Sequence, residues 1–401
     1  MFEIFLFFLF GIIAGVIAGI IPGIHPNFIA MVASSLLFSI FPTNIDFLAF
    51  IVAMGITNSF ISTIPSILLG APEEESCLAI LPGHYFLMKG YGYYAIKLTI
   101  VGSLFGFIFC LFILPIVYFI FPLIYTLVRN FIHIVLSFVV LYTILLEKSK
   151  RKILLAAFIF LISGIVGILG NNLPINQNFY LFVALSGLFG MPNLLISIKR
   201  SQALPKQKIK ERRISIRTLK EAIARGSLAG FITGLLPGIG ASQATMIATL
   251  GKASREYFLL SLGAATTSNV FFSFLALWLI GKPRSGLAIA VKNFIKYIGM
   301  EEFLAFIIIS LVASSLSTII GLWISKRFLE RLAKIDYRKV NLFIVMLLSF
   351  LTYLTSSFYG IILLIITTSL GLFALTSKVR RVNLMGFLIF PTILFFSGIY
   401  L

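Results

Sequence analysis

Apolar stretches recur from Phe2 to Leu401, broken by short polar or basic runs, and many reach the roughly 20 residues that a helix needs to cross a bilayer core. Runs such as Phe303 to Ser325 are apolar on every face. A membrane β-barrel would instead alternate over segments of about 10 residues. The pattern predicts an all-α polytopic membrane protein. In the first half, helical pieces are expected near 2–21, 27–41, 46–69, 93–121, 130–146, 153–170 and 178–198. In the second they are expected near 218–236, 240–251, 257–281, 301–325, 340–355, 358–376 and 383–400.

The two series belong to an internal duplication. Residues 15–24 read GVIAGIIPGI and residues 230–239 read GFITGLLPGI, an offset of 215 that pairs Gly11 with Gly226, Gly19 with Gly234, Pro22 with Pro237 and Gly23 with Gly238. Asn58, Gly70 and Pro72 then pair with Asn269, Gly281 and Pro283 at 211. Residues 78–80 pair with 287–289 at 209, so the repeat continues with small deletions. Residues 1–198 form the first repeat, 199–217 a basic linker and 218–401 the second repeat.

Lys and Arg in short loops favour the cytoplasmic side. Loop 147–152 (EKSKRK) and linker 199–217 are basic, whereas loop 171–178 (NNLPINQN) carries no charge. In the second half the pattern switches. The loop holding Lys326, Arg327, Arg331, Lys334, Arg338 and Lys339 is basic where its counterpart near 121–130 has only Arg129. The neutral turn 355–359 and the basic turn 378–381 complete the alternation. The expected arrangement is therefore two inverted-topology repeats in a cell membrane, with the linker cytoplasmic and both termini outside.

With 60% hydrophobic and 11% charged residues and a mean hydropathy of +1.08, the chain carries more apolar surface than a soluble core hides. Its formal charge of +19 is clustered between apolar segments as topology signals, which argues against nucleic-acid binding. Cys77 and Cys110 are the only cysteines, too few for a disulfide framework or metal cluster, and both are expected to be buried small hydrophobes. The opening MFEIFLFFLFGII lacks a basic leading region and reads as a retained first helix rather than a signal peptide. No nucleotide-binding glycine loop, HExxH helix or zinc-type spacing is present, so neither a cofactor nor primary active transport is expected.

The candidate chemistry lies at the breaks. IIPGIHPN (20–27) and LLPGIGAS (235–242) each set Pro-Gly between an apolar helix and a piece too short to span alone, predicting broken or re-entrant helices. Such a break frees backbone groups for a ligand at membrane depth, and the helix N-terminus beyond it attracts anions. The substrate path is thus expected at Pro22, Gly23, His25 and Asn27, and at Pro237, Gly238, Gly240, Ser242 and Gln243. The spaced glycines 11, 15 and 19 read as a helix-packing face. After the third helix, residues 70–76 carry Glu73, Glu74, Glu75 and Ser76, three acids out of only 13 in the chain, whereas the repeat mate 281–289 carries Lys282 and Arg284. The acidic segment, with Asn58 and Asn269, is the expected site of a coupling Na⁺ or H⁺; Lys282 and Arg284 are expected to draw in the anion.

These residues resemble the large membrane subunit of the tripartite tricarboxylate transporters, the TctA family. The likeness rests on IIPGIHP and LLPGIGAS, on SILLGAPEEES, and on LPGHYFLMKGYGYYA, where Pro72, Ser76, Gly83, Tyr85, Met88, Lys89 and Gly90 fall in matching order. The resemblance implies a non-enzymatic secondary, ion-coupled transporter of di- or tricarboxylates working by alternating access, with a small membrane subunit and an extracytoplasmic binding protein; a homo-oligomer is compatible with it. Two rival readings are a carrier of a lipid-linked phosphate such as a polyprenyl phosphate, which helix N-termini and basic residues would also bind, and an intramembrane enzyme, for which His25, His84 and His133 offer no paired nucleophile.

Overall fold

A computed structural model describes residues 2–21, 26–36, 41, 43–69, 80–175, 177–200, 205–209, 214–235, 240–251, 254–295, 298–332 and 337–399. Among them there is no strand. The first half of the chain supplies α1 (Phe2–Ile20), α2 (Pro26–Leu36), α3 (Asn44–Ile61), α4 (Thr63–Leu69), α5 (Ile80–Met88), α6 (Gly92–Val128), α7 (Ile132–Leu145), α8 (Lys150–Asn171), α9 (Gln177–Leu185) and α10 (Met191–Arg200). The second supplies α11 (Ile216–Leu235), α12 (Ala241–Ala248), α13 (Arg255–Ile280), α14 (Gly286–Phe294), α15 (Met300–Leu332), α16 (Tyr337–Thr376) and α17 (Gly386–Phe396). Eight stretches among the described residues are long and apolar enough to cross a membrane. The protein is a multi-pass membrane protein.

Local sequence sets several boundaries. A capping box starts α3: the Thr43 hydroxyl accepts from the Asp46 N–H at 3.2 Å and the Asp46 carboxylate accepts from the Thr43 N–H at 3.1 Å. Ser254 and Ser285 cap α13 and α14 with their hydroxyls, and Gly281, in the left-handed region (φ 63), ends α13. The neutral turn expected near 355–359 is present as a break inside α16 at Ser357 (φ 50, ψ −147). The polar breaks, by contrast, contain two short helices that the hydropathy pattern leaves out, α5 and α14.

The chain divides into two compact units that cut across the sequence halves. The first unit comprises Met1–Phe121, Ala203–Leu235 and Gly240–Tyr337. In it, the expected packing glycines fit against neighbouring backbone. Gly11, Gly15 and Gly19 of α1 face Ala53, Thr57 and Ile61 of α3, and Gly226, Gly230 and Gly234 of α11 face Ala264, Ser268 and Phe272 of α13. The glycines differ by 215 and their partners by 211, the two offsets of the sequence repeat. A Cβ at Gly15 would lie 2.6 Å from the Met54 carbonyl oxygen, so the helices approach as closely as only glycine permits.

The remaining long helices of this unit are exchanged between halves. From the first half, α6 packs on α13 of the second, through Gly102 on the Leu260 carbonyl, Gly106 on Ala264 and the Cys110 S–H donating to the Ser268 hydroxyl at 3.0 Å. From the second, α15 packs on α3 of the first, where Ser317 donates to the Thr57 hydroxyl at 2.9 Å. Cys110 and Ser317 hold matching places, as do Ser268 and Thr57. Residue numbers rise together in the α1–α3, α6–α13 and α15–α3 contacts, so those pairs run parallel. Between α3 and α13 they run opposite, with Gly55 near Val270 and Ser59 bonded to Thr267 at 3.1 Å. The first residue of α6, Gly92, lies against Leu329 in the last turn of α15.

The second unit comprises Pro122–Gln202, Leu236–Ile239 and Arg338–Leu401. It repeats the same exchange. Gly167 of α8 meets the Phe387 carbonyl of α17, and Gly371 of α16 meets the Leu188 carbonyl before α10. Gly386 fits against Phe160 and Ser163, and Gly187 against Leu364 and Thr367, at shared offsets of 199 and 204. The buried Glu147 carboxylate accepts from the Arg380 N–H at 2.8 Å, joining the basic loops 147–152 and 378–381 at one end of this unit.

Candidate functional site

Two breaks separate α1 from α2 and α11 from α12. Pro22, Gly23 and His25 lie outside the described residues, as do Pro237 and Gly238, the acidic segment Glu73, Glu74, Glu75 and Ser76, and Cys77. The described flanks show what borders these breaks in the first unit.

Beyond the second break, Gly240 (φ −83, ψ 162) is the N-cap of α12 and, being glycine, offers its first turn no side-chain cap. At the other end, the Arg225 guanidinium donates to the Ala248 carbonyl at 3.1 Å, where a cation complements the helix dipole. Ser242, Gln243 and Thr245 are buried, and Thr245 satisfies itself on the Ala241 carbonyl at 2.7 Å. Gln243 does not. It is 2% exposed, and neither its amide nitrogen nor its amide oxygen has a hydrogen-bond partner among the described residues. An unmet buried polar group costs about 1–3 kcal/mol, so a donor–acceptor pair held ready in the first turn of α12 is a place for a polar ligand or water.

Beyond the first break, the half-buried Asn27 side chain lies against Gly286, the first residue of α14, where a Cβ would come 2.5 Å from the Asn27 carboxamide carbon. The structure thus brings the polar residue after one break beside the basic segment of the other repeat. Arg284 is half-buried two residues away, and Lys282 is exposed. Asn58 is 4% exposed, and its amide nitrogen has no partner among the described residues. It stands between Thr57, bonded by Ser317, and Ser59, bonded to Thr267, and one turn beyond Gly55, which packs on Leu287 of α14. Its repeat mate Asn269 is half-buried and has its own interactions.

The segment LPGHYFLMKGYG builds a corner. Lys89 and Arg255 flank the Tyr85 ring at 4.5 and 3.9 Å from its centroid. Gly90 takes φ 78, and its carbonyl accepts from the Lys208 N–H of the linker at 2.7 Å. Gln207 clamps the corner: its amide oxygen accepts from the Gly92 N–H at 3.0 Å, and its amide nitrogen donates to the Leu87 carbonyl at 3.0 Å and the Pro205 carbonyl at 2.8 Å. Sequence reasoning missed this clamp because the linker reads only as a run of charge. The interhelical hydroxyls were within reach, since the offset of 211 pairs Thr57 with Ser268. Cys110 is buried as expected, with a hydrogen bond in addition.

The sequence profile of the tripartite tricarboxylate transporter TctA family matches residues 5–386. An uncharacterized protein of Methanocaldococcus jannaschii is 34% identical over 361 residues, covering 88% of this chain and 89% of the relative. No solved structure matches.

Proposed function

The chain belongs to the TctA family, the large membrane component of a tripartite tricarboxylate transporter, and we propose that it carries a small organic anion, a di- or tricarboxylate, across the cell membrane. The observation that carries this reading is Gln243, a buried amide in the first turn of α12 with neither end partnered among the described residues. A carboxylate accepts from such an amide and from helix N-terminal N–H groups, and a hydroxyl on the same cargo donates to its oxygen. Pro22, Gly23, His25, Asn27, Pro237, Gly238, Gly240, Ser242, Lys282 and Arg284 complete the proposed path. Coupling to Na⁺ or H⁺ is assigned to Glu73, Glu74, Glu75 and Ser76, with Asn58 and Asn269. The small membrane subunit and the extracytoplasmic binding protein of the tripartite system are the proposed partners.

Alternating access follows from an inverted repeat, and the helix directions support one. If α3 and α13 run opposite and each long neighbour follows its partner, then α1 opposes α11 and α6 opposes α15, as the Gly92–Leu329 contact requires. Within the first unit the linker meets the basic end of α15, and within the second loop 147–152 meets 378–381, so in each unit the two basic segments share a side, as the cytoplasmic assignment expects. A thiol probe added outside intact cells should label cysteine placed at the exposed Asn172 but not at the exposed Lys148. Labelling of both sinks the topology.

Purified protein should gain thermal stability with citrate-like carboxylates, and Gln243→Leu should lower that apparent affinity by about tenfold or more, the cost of one lost hydrogen bond to a charged ligand. Inorganic phosphate and polyprenyl phosphate form the other arm of the panel. Stabilisation by these alone overturns the carboxylate reading.

A further inference from the structure

The last turns of α15 have two unlike faces. Gly321, Ser325 and Leu329 are buried, with Leu329 against Gly92. Trp323, Arg327 and Arg331 form a stripe at intervals of four on the open side; Trp323 is 61% exposed and the Arg327 side chain 64%. With Ile324 and Phe328 they line an open groove of about 310 Å³. Among the described residues, Glu330 is the acidic neighbour of Arg327, at 3.8 Å. We propose that this groove holds the headgroup of an anionic phospholipid, its phosphate on the Arg327 and Arg331 guanidiniums and its glycerol and upper chains on Trp323, Ile324 and Phe328.

The chemistry favours a lipid over a soluble anion or a peptide. Trp is enriched at the membrane interface, where its ring is apolar and its N–H is wet. Two guanidiniums within the next two turns stand where a long basic side chain reaches up to the headgroups, and each can hold a phosphate through paired hydrogen bonds. A soluble anion has no use for the apolar wall, and lipid phosphate satisfies both parts. This end of α15 shares a corner with Gln207 of the linker through Gly92. Assigning the lipid to the cytoplasmic leaflet rests on the topology above; the binding does not.

Native mass spectrometry of the full chain in detergent, titrated with phosphatidylglycerol or with phosphatidylcholine of the same chains, tests the site. The Arg327→Gln/Arg331→Gln variant should bind phosphatidylglycerol about thirtyfold more weakly and phosphatidylcholine unchanged. Lysine at both positions should restore part of the affinity, and Arg217→Gln/Lys220→Gln, two exposed basic residues on α11, should have no effect. Circular dichroism melts of each variant report whether it is folded. Unchanged binding in the α15 variant, an equal loss in the α11 variant, or a second copy of the chain released by Trp323→Ala overturns the proposal.

Discussion

The segments that follow α3 and α13 correspond in the duplication, and their described residues are fastened by different means. After α13, the chain turns at Gly281, is capped by Ser285, and the resulting α14 packs on α2 and α3 through Asn27 against Gly286 and Leu287 against Gly55. After α3, the corner of α5 and α6 turns at Gly90 and is closed by the linker through Gln207 and Lys208. The linker occurs once, so it can close only one of the two. Duplication fixes the helices, and what is not duplicated decides how each corner ends.

The largest effect is expected at the second corner. In Gly286→Val the new side chain collides with the Asn27 carboxamide, and prying α2 from α14 should destabilise by about 1–3 kcal/mol and abolish carboxylate-induced thermal stabilisation. If the stabilisation survives, α14 does not border the cargo path. Next, Gln207→Ala removes the two hydrogen bonds that tie the linker to the first corner, at Gly92 and Leu87, each worth about 1 kcal/mol. Hydrogen exchange at the Gly92 amide should rise while amides of α14 are unchanged, and equal change at both would show that the corners are not independent. The smallest effect concerns Tyr85. A double-mutant cycle with Tyr85→Leu and Arg255→Gln should give a coupling of about 0.5–1 kcal/mol, as a cation over a ring supplies. A coupling near zero would leave Gln207 as the main fastening.

Hydropathy placed nearly all the long helices because a bilayer demands length and apolarity together, and both are visible in one dimension. Gly11, Gly15 and Gly19 were readable as a packing face for the same reason, since a spacing of four is a face. Helices α5 and α14 were not legible, being too short to register against their polar surroundings. Nor was the exchange of α6 and α15 between halves, because small residues specify close approach without naming the partner. Of the candidate site, the sequence marks Asn27, Gln243 and the segment around Arg284. What it does not show is that Asn27 would meet Gly286, a contact between residues 259 positions apart. The residues Gly83, Tyr85, Lys89 and Gly90, which carry much of the family likeness, sit in the corner held by the linker rather than at either break.

The exchanged helices also govern how the protein is made. Gly106 of α6 waits for Ala264 of α13, 158 residues downstream, and Thr57 of α3 waits for Ser317, 260 residues downstream. At roughly 5–20 residues per second, ribosomes need about 8–30 s to supply the first of these partners. Through that interval the glycine face of α6 and the Thr57 hydroxyl of α3 lack their second-half partners, while α1 already packs on α3. Nascent chains are therefore most exposed to quality-control proteases between emergence of α6 and insertion of α13, and a stalled ribosome in that window leaves a half that has no stable partner of its own.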